Sequence, residues 1–338
     1  MPRLPVTPWI LVPLAVVAAA GALAWQRARV PSRADWQAAT AAIRAELAPG
    51  DGVTWLPEWA GEGRLFFHDL PAFQLSDPGH ADLARYDRVW ILGAFGRDAG
   101  DVAGGHAVLR SQSFGRVDLD LVQVAGPRVV ADLRAELDQA RVTRVDARGA
   151  EKACDFWEGR GWVCDLQKSP DATRACLAAS TATRFARMRS DPTCGLPVWF
   201  DGPGRYGVGR GPQPVARDVR VIGEAPRPCV WFNPPPGRQI QRITWDARAP
   251  EGATLVIDHG FTDHAITDHG WDEARTKPAT LRVRRGEAEL ASWTVAPEKG
   301  WRRQEVALAG AGPLILEVSG ESDVDAHLCI DATVRIPR

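Results

Sequence analysis

Residues 8 to 25 read PWILVPLAVVAAAGALAW, an unbroken run of 18 residues without a charge. A stretch of that length sits at the lower edge of what crosses a bilayer as a helix. Trp9 and Trp25 bracket it as interfacial anchors do. The run predicts an N-terminal transmembrane helix in a leader over residues 1–30. A cleaved export signal is the alternative, with Ala22, Leu23 and Ala24 as the small-residue cleavage site. Arg27, Arg29 and Arg33 follow the run closely, which makes cleavage less comfortable. Either reading exports the body of the chain.

One observation opposes export. Arg3 precedes the run and three arginines follow it, and positive charge tends to stay cytoplasmic. The imbalance falls to about one charge once the N-terminal amine is counted with Arg3. The six cysteines weigh the other way. Cys154, Cys164, Cys176, Cys194, Cys229 and Cys329 all lie in the body. An even number without CxxC spacing points to disulfides and an oxidising compartment rather than zinc. The expected location is therefore the cell membrane, single-pass, with the body periplasmic or otherwise extracytoplasmic.

The 338 residues suggest two domains after the leader. A formal net charge of −1 offers no bulk attraction to nucleic acid, so none is expected as a partner. Inner-membrane lipid is expected through the N-terminal helix.

Ser32 and Asp35 look like a helix start, followed by Trp36, Thr40, Ile43 and Leu47 at helical spacing. Val53 to Leu56, Arg88 to Gly93 and Val117 to Val124 read as strands, and Val129, Val130, Leu133 and Leu137 as another helical stripe. Alternating helices and buried strands predict a small α/β domain over 31–148. Residues 149–228 carry four cysteines and many Gly and Pro, and are expected to be a disulfide-stapled connecting region. Four cysteines allow three pairings, which stay open.

From 229 the pattern turns to short strands: 229–232, 240–245, 253–257, 280–284, 289–295, 303–308, 314–318 and 327–336. That spacing predicts an all-β, jelly-roll-like sandwich over 229–338. Cys229 and Cys329 fall in its first and last strands, which can be neighbours, so these two are expected to pair.

The most unusual local text is a five-residue unit repeated three times, from Asp258 to Asp272. It presents Asp258, His259, Asp263, His264, Asp268, His269 and Trp271. Imidazole and carboxylate both bind divalent ions. Yet residues five apart face opposite sides of a strand and diverge on a helix, so only a loop converges them. The expectation is a ligand-contacting loop with no metal and no cofactor, Trp271 being the exposed aromatic. The bland counterpart is a polar inter-strand turn. Trp293 and Trp301 also lie near these loops, Trp293 read as core and Trp301 as a turn plug.

Gly202-Pro-Gly204-Arg-Tyr-Gly207 matches GxGxxG but lacks a preceding strand and a following helix. No phosphate loop, HExxH or GxSxG occurs. The sequence nominates no catalytic residue.

Two resemblances add to this. DWQAATAAIRAELAPGDGVTWLP, YDRVWILGAF and FGRVDLDLVQV, within residues 35–124, resemble the soluble Rossmann-like segment of multi-spanning glycosyltransferases that use lipid-linked sugars. Their catalytic acids lie in membrane-side loops that this chain lacks, so the resemblance implies an accessory domain near envelope glycan assembly. Residues 229–336, with DHGFTDH, LRVRRGEAELASWTV, GWRRQEVAL and HLCIDATV, resemble galactose-binding-like and carbohydrate-binding-module sandwiches. The combined expectation is a membrane-tethered envelope protein, non-catalytic, with a glycan or other envelope component as partner. An enzyme acting on envelope polysaccharide and a purely structural module are the alternatives.

Overall fold

A computed structural model describes residues 8–57, 60, 64–73, 83–101, 104–157, 161–164, 171, 172, 175, 214–223, 225–235, 237–267, 276–321 and 327–337. The chain forms two compact units, one up to residue 128 and one over Val129–Pro337.

In the first unit, helix α1 spans Pro8–Arg29. It forms where the uncharged run was expected to be helical, and Val12, Leu14, Val16, Val17, Leu23 and Trp25 on it are exposed. Among the described residues, however, no helix is long and apolar enough to cross a membrane. The expected transmembrane span is therefore not shown.

Helix α2 (Arg33–Glu46) starts at the expected cap. Ser32 Oγ accepts from Asp35 N–H at 3.2 Å, and Asp35 Oδ2 accepts from Ser32 N–H at 2.8 Å. This reciprocal pair satisfies two otherwise orphaned amides. Trp36, Ala39, Thr40 and Ile43 form the buried stripe. They pack with Trp55, Trp90, Leu92 and Leu119 of the sheet.

That sheet contains β1 (Asp51–Leu56), β2 (Arg88–Ala94), β3 (Ala107–Phe114) and β4 (Val117–Gln123) in the order β1-β2-β4-β3. Between β1 and β2 lies the single-turn helix α3 (Arg64–Phe67). β1 and β2 are parallel, but β2–β4 and β3–β4 are antiparallel. The Rossmann-like expectation is thus not supported: one parallel pair is joined to antiparallel strands. A tight hairpin makes the rest of the sheet, because Gly115 takes φ 61° between β3 and β4.

Asp51 organises this sheet. It is only 4% exposed and accepts from Arg88 Nε (2.8 Å), Arg88 Nη2 (2.7 Å), Ala48 N–H (2.9 Å) and Trp90 Nε1 (3.2 Å). Burial alone would raise its carboxyl pKa. The Arg88 hydrogen bonds, aided by Ala48 and Trp90, outweigh that and hold it below the ordinary carboxylate value.

The second unit begins earlier than the sequence suggests. β5 (Arg128–Asp132) replaces the expected helix, and the following residues form turns. Leu133, Leu137 and Ala140 still reach the core from those turns, so their helical spacing is coincidental. Next come β6 (Arg141–Val145), β7 (Glu151–Ala153), β8 (Asp155–Trp157), β9 (Gly161–Val163) and β10 (Pro214–Ile222). Then follow β11 (Ala225–Phe232), β12 (Ile240–Trp245), β13 (Thr254–Phe261), helix α4 (Asp263–Thr267), β14 (Ala279–Arg285), β15 (Ala288–Val295), β16 (Arg302–Ala307), β17 (Leu314–Gly320) and β18 (Leu328–Ile336).

Two sheets face each other. One has the order β16-β13-β18-β11-β10-β9-β8, with β5 beside β18; the other is β15-β14-β17-β12-β6-β7. Strands β11 to β18 alone supply β11-β18-β13-β16 and β12-β17-β14-β15, the double-sheet order of a jelly roll. All eight strands expected after residue 229 are present. The earlier strands extend both sheets at the β11 and β12 edges. One core fills the sandwich, with Val230, Phe232, Trp245, Leu255, Ile257, Leu281, Leu316, Ile330 and Val334 among its members. In β12, Gln241, Ile243 and Trp245 are buried while their neighbours are half-exposed, the period-two pattern of a sheet with one face on a core.

Cys229 and Cys329 form the expected disulfide, their Cα atoms 5.6 Å apart across β11 and β18. Cys154 pairs with Cys164. Cys176 and Cys194 lie outside the described residues. The first bridge spans 100 residues and the second 10. Loop-closure entropy then gives about 4.7 and about 2.7 kcal/mol respectively. Replacing Cys229 and Cys329 together with Ala should cost more in guanidinium unfolding than replacing Cys154 and Cys164, by about 2 kcal/mol.

Candidate functional site

Strand β13 decides what the repeated Asp-His units do. Its alternate residues Leu255, Ile257 and Phe261 point into the core, so His259 points there too. His259 is 2% exposed, and its Nε2 accepts from Trp293 Nε1 at 3.0 Å, across from β15 of the facing sheet. Nδ1 is buried without a partner among the described residues. Burial pushes the imidazole pKa down to about 4, against the opposing charge of Asp258 and with a smaller push from Arg302. His259 is a neutral core residue.

Asp258 points to the opposite face of the same sheet. Arg303, its register partner on β16, grips it with Nε at 2.9 Å and Nη2 at 3.0 Å. The carboxylate is 3% exposed and its oxygens are occupied by that fork. The first Asp-His unit is therefore part of a buried strand, correcting its expected place in a loop. The polar residues are tolerated there because each has a cross-strand or cross-sheet partner.

The next unit behaves differently. Thr262 Oγ1 accepts from Ala265 N–H at 3.2 Å and caps α4, whose first residues are Asp263 and His264. Asp263 Oδ1 accepts from Gly223 N–H at 2.7 Å, tying α4 to the β10–β11 turn. The His264 ring centre lies 5.4 Å from that of His327, just before β18. His327 carbonyl accepts from Thr262 N–H at 2.9 Å, and its ring meets Trp231 edge-on at 5.5 Å. Arg220 places its guanidinium 4.4 Å from the Trp231 ring centre and pairs with Asp218 at 2.5 Å. Asp268, His269 and Trp271 lie outside the described residues.

The β15–β16 turn completes this rim. Trp301 packs, half-buried, on Val163, Ala216, Ile222, Trp231 and the Cys229–Cys329 bridge. Gly260 makes room for it. A Cβ there would come within 2.6 Å of Gly300 O and 3.3 Å of Trp301. So α4, the β10–β11 and β15–β16 turns and the residue before β18 converge, placing half-exposed Asp263, His264, Trp301 and His327 on one rim. The sequence pointed to Asp263 and His264 but not to His327, Arg220 or Trp231. Nothing in the local text around those three carries a signal, because their proximity arises from strand pairing. Trp293, expected as core, is partly buried against it.

The rim combines an indole, two imidazoles and a carboxylate, a set suited to non-covalent contact with a polyhydroxylated or mixed polar ligand. Among the described residues, no group of three or more His, Cys, Asp or Glu is placed to hold a metal ion.

No family model matches the chain, and no curated protein matches it. Solved structures similar to part of it include a Stig cyclase, Fisc, from Fischerella sp. TAU, at 11% identity and TM-score 0.28, covering 40% of this chain and 79% of that one. They also include a CBM51 module from Clostridium perfringens bound to methyl-galactose, at 6% identity and TM-score 0.24, covering 36% and 79%. A family 29 carbohydrate-binding module matches at 11% identity and TM-score 0.20, covering 35% and 74%. Such scores carry no ligand over to this chain. The resemblance of residues 35–124 to glycosyltransferase segments gains no support from these structures.

The His259 environment makes a signed prediction. An unfolded histidine takes up its proton near pH 6.5, the folded one near 4, so the unfolded state binds more protons between those values. Stability should fall as pH drops through that window. His259→Gln keeps an acceptor for Trp293 and removes the titration. Urea unfolding should show the stability difference between pH 7 and about pH 4.5 shrinking by about 2–3 kcal/mol in the variant.

Proposed function

We propose that this chain is a non-catalytic glycan-binding protein tethered at the cell envelope, and that the rim formed by Asp263, His264, Trp301 and His327 is its contact surface. The observation that carries this reading is the convergence of α4, the β10–β11 turn and the β15–β16 turn around a half-exposed indole beside polar side chains. An indole face stacks on the apolar face of a sugar ring, while carboxylate and imidazole take up its hydroxyls. The polysaccharide-cleaving alternative is the weaker one. Asp258 is locked by Arg303 and Asp218 is paired with Arg220, which removes two nearby acids from general acid–base work.

The tether and the compartment belong to the same proposal. The uncharged run and the exposed apolar side chains of α1 favour membrane association. The two bridges of the second unit favour an oxidising compartment.

Full-length protein screened on an immobilised envelope-glycan panel should bind at least one glycan. Trp301→Ala should then weaken that binding by about tenfold or more, roughly 1.4 kcal/mol, with the melting temperature near wild type. Unchanged affinity in a folded Trp301→Ala protein would remove the rim as the site. Absence of binding across the panel would remove the glycan reading itself. Deleting residues 1–30 should release the protein from carbonate-washed membranes; a wild-type protein already in the soluble fraction would contradict the tether.

A further inference from the structure

The two imidazoles at the rim come from residues 63 apart in sequence, His264 at the start of α4 and His327 just before β18. Their ring centres are 5.4 Å apart and the rings are tilted by 31°. One backbone hydrogen bond, Thr262 N–H to His327 O at 2.9 Å, fixes the two segments relative to each other. The Thr262 cap and the Asp263–Gly223 bond fix α4 in turn. The separation suits chelation. Imidazole nitrogens sit about 2.0–2.1 Å from a zinc-like ion, and two of them at a tetrahedral angle put their ring centres roughly 5 Å apart. Both rings are half-exposed, so an ion can reach them with part of its water shell retained.

We propose that His264 and His327 form a two-imidazole site for a divalent transition-metal ion of the zinc, copper or nickel class. Nitrogen ligands select these ions over calcium or magnesium, which prefer oxygen. With two protein ligands, water or a bound oxygen ligand completes the coordination sphere. Of the repeat's described imidazoles, His259 is buried on Trp293, and His264 meets a histidine from a distant segment.

The test uses untagged full-length protein and the metals alone. Calorimetric titration with Zn²⁺ at pH 7.5 should give one site with Kd below about 100 µM. His264→Gln and His327→Gln should each weaken it at least about tenfold. Electron paramagnetic resonance of the Cu²⁺-loaded wild type should detect two coordinated imidazoles, with one remaining in His264→Gln. This readout on wild type keeps the test decisive if the His327 variant fails to fold. No zinc binding, a single imidazole in the wild-type copper spectrum, or wild-type affinity in a folded His264→Gln protein would overturn the site.

Discussion

Strand β18 is paired along both edges, and the second unit depends on that pairing. β13 runs beside it from Phe261↔Leu328 to Thr254↔Arg335. On the other edge β11 pairs over Val230 to Phe232, and β5 takes the rest. Leu328, Ile330, Ala332 and Val334 enter the core from it, while Cys329 on the opposite face binds β11 covalently. Eight of its nine residues are buried, the mark of a strand covered on both faces. The final segment of the chain therefore closes a sheet whose other members come from as far back as residue 128.

Much of this was legible where a strand has one wet face. Thr280 to Arg284 alternate apolar and polar side chains, and the structure places a strand over them. In the second unit, the part before 229 was not legible. β7, β8 and β9 have three residues each, too few to carry a period, and β9 also pairs with the distant β10. Val129 and Val130 suggested a helix with Leu133 and Leu137, but two adjacent β-branched residues fit the strand they form. In the first unit, the text PGD and RVW marks a buried network in which Asp51 receives Arg88 and Trp90. Those landmarks are structural, so a resemblance built on them speaks to a sheet and not to chemistry.

The Asp-His repeat shows the limit from the other side. Polar residues at regular spacing suggested a loop. Yet Asp258 and His259 are buried because Arg303, 45 residues on, and Trp293, 34 residues on, satisfy them. No local rule anticipates partners at those distances. The same long-range pairing brings His327 to His264 and Trp301 over Gly260. The rim is thus a product of the sandwich, and its residues gain meaning only after the strands are ordered.

The central claim is that the sandwich is completed by strands upstream of residue 229. Its most direct measurement compares two fragments, residues 129–338 and residues 229–338, by circular dichroism and denaturant unfolding under oxidising conditions. The account predicts a cooperative transition for the longer fragment. The shorter one, stripped of β5 to β10 and the first residues of β11, should lack it. Equal cooperativity and stability in both would contradict the account, because the jelly roll would then stand without β5, β6 and β10.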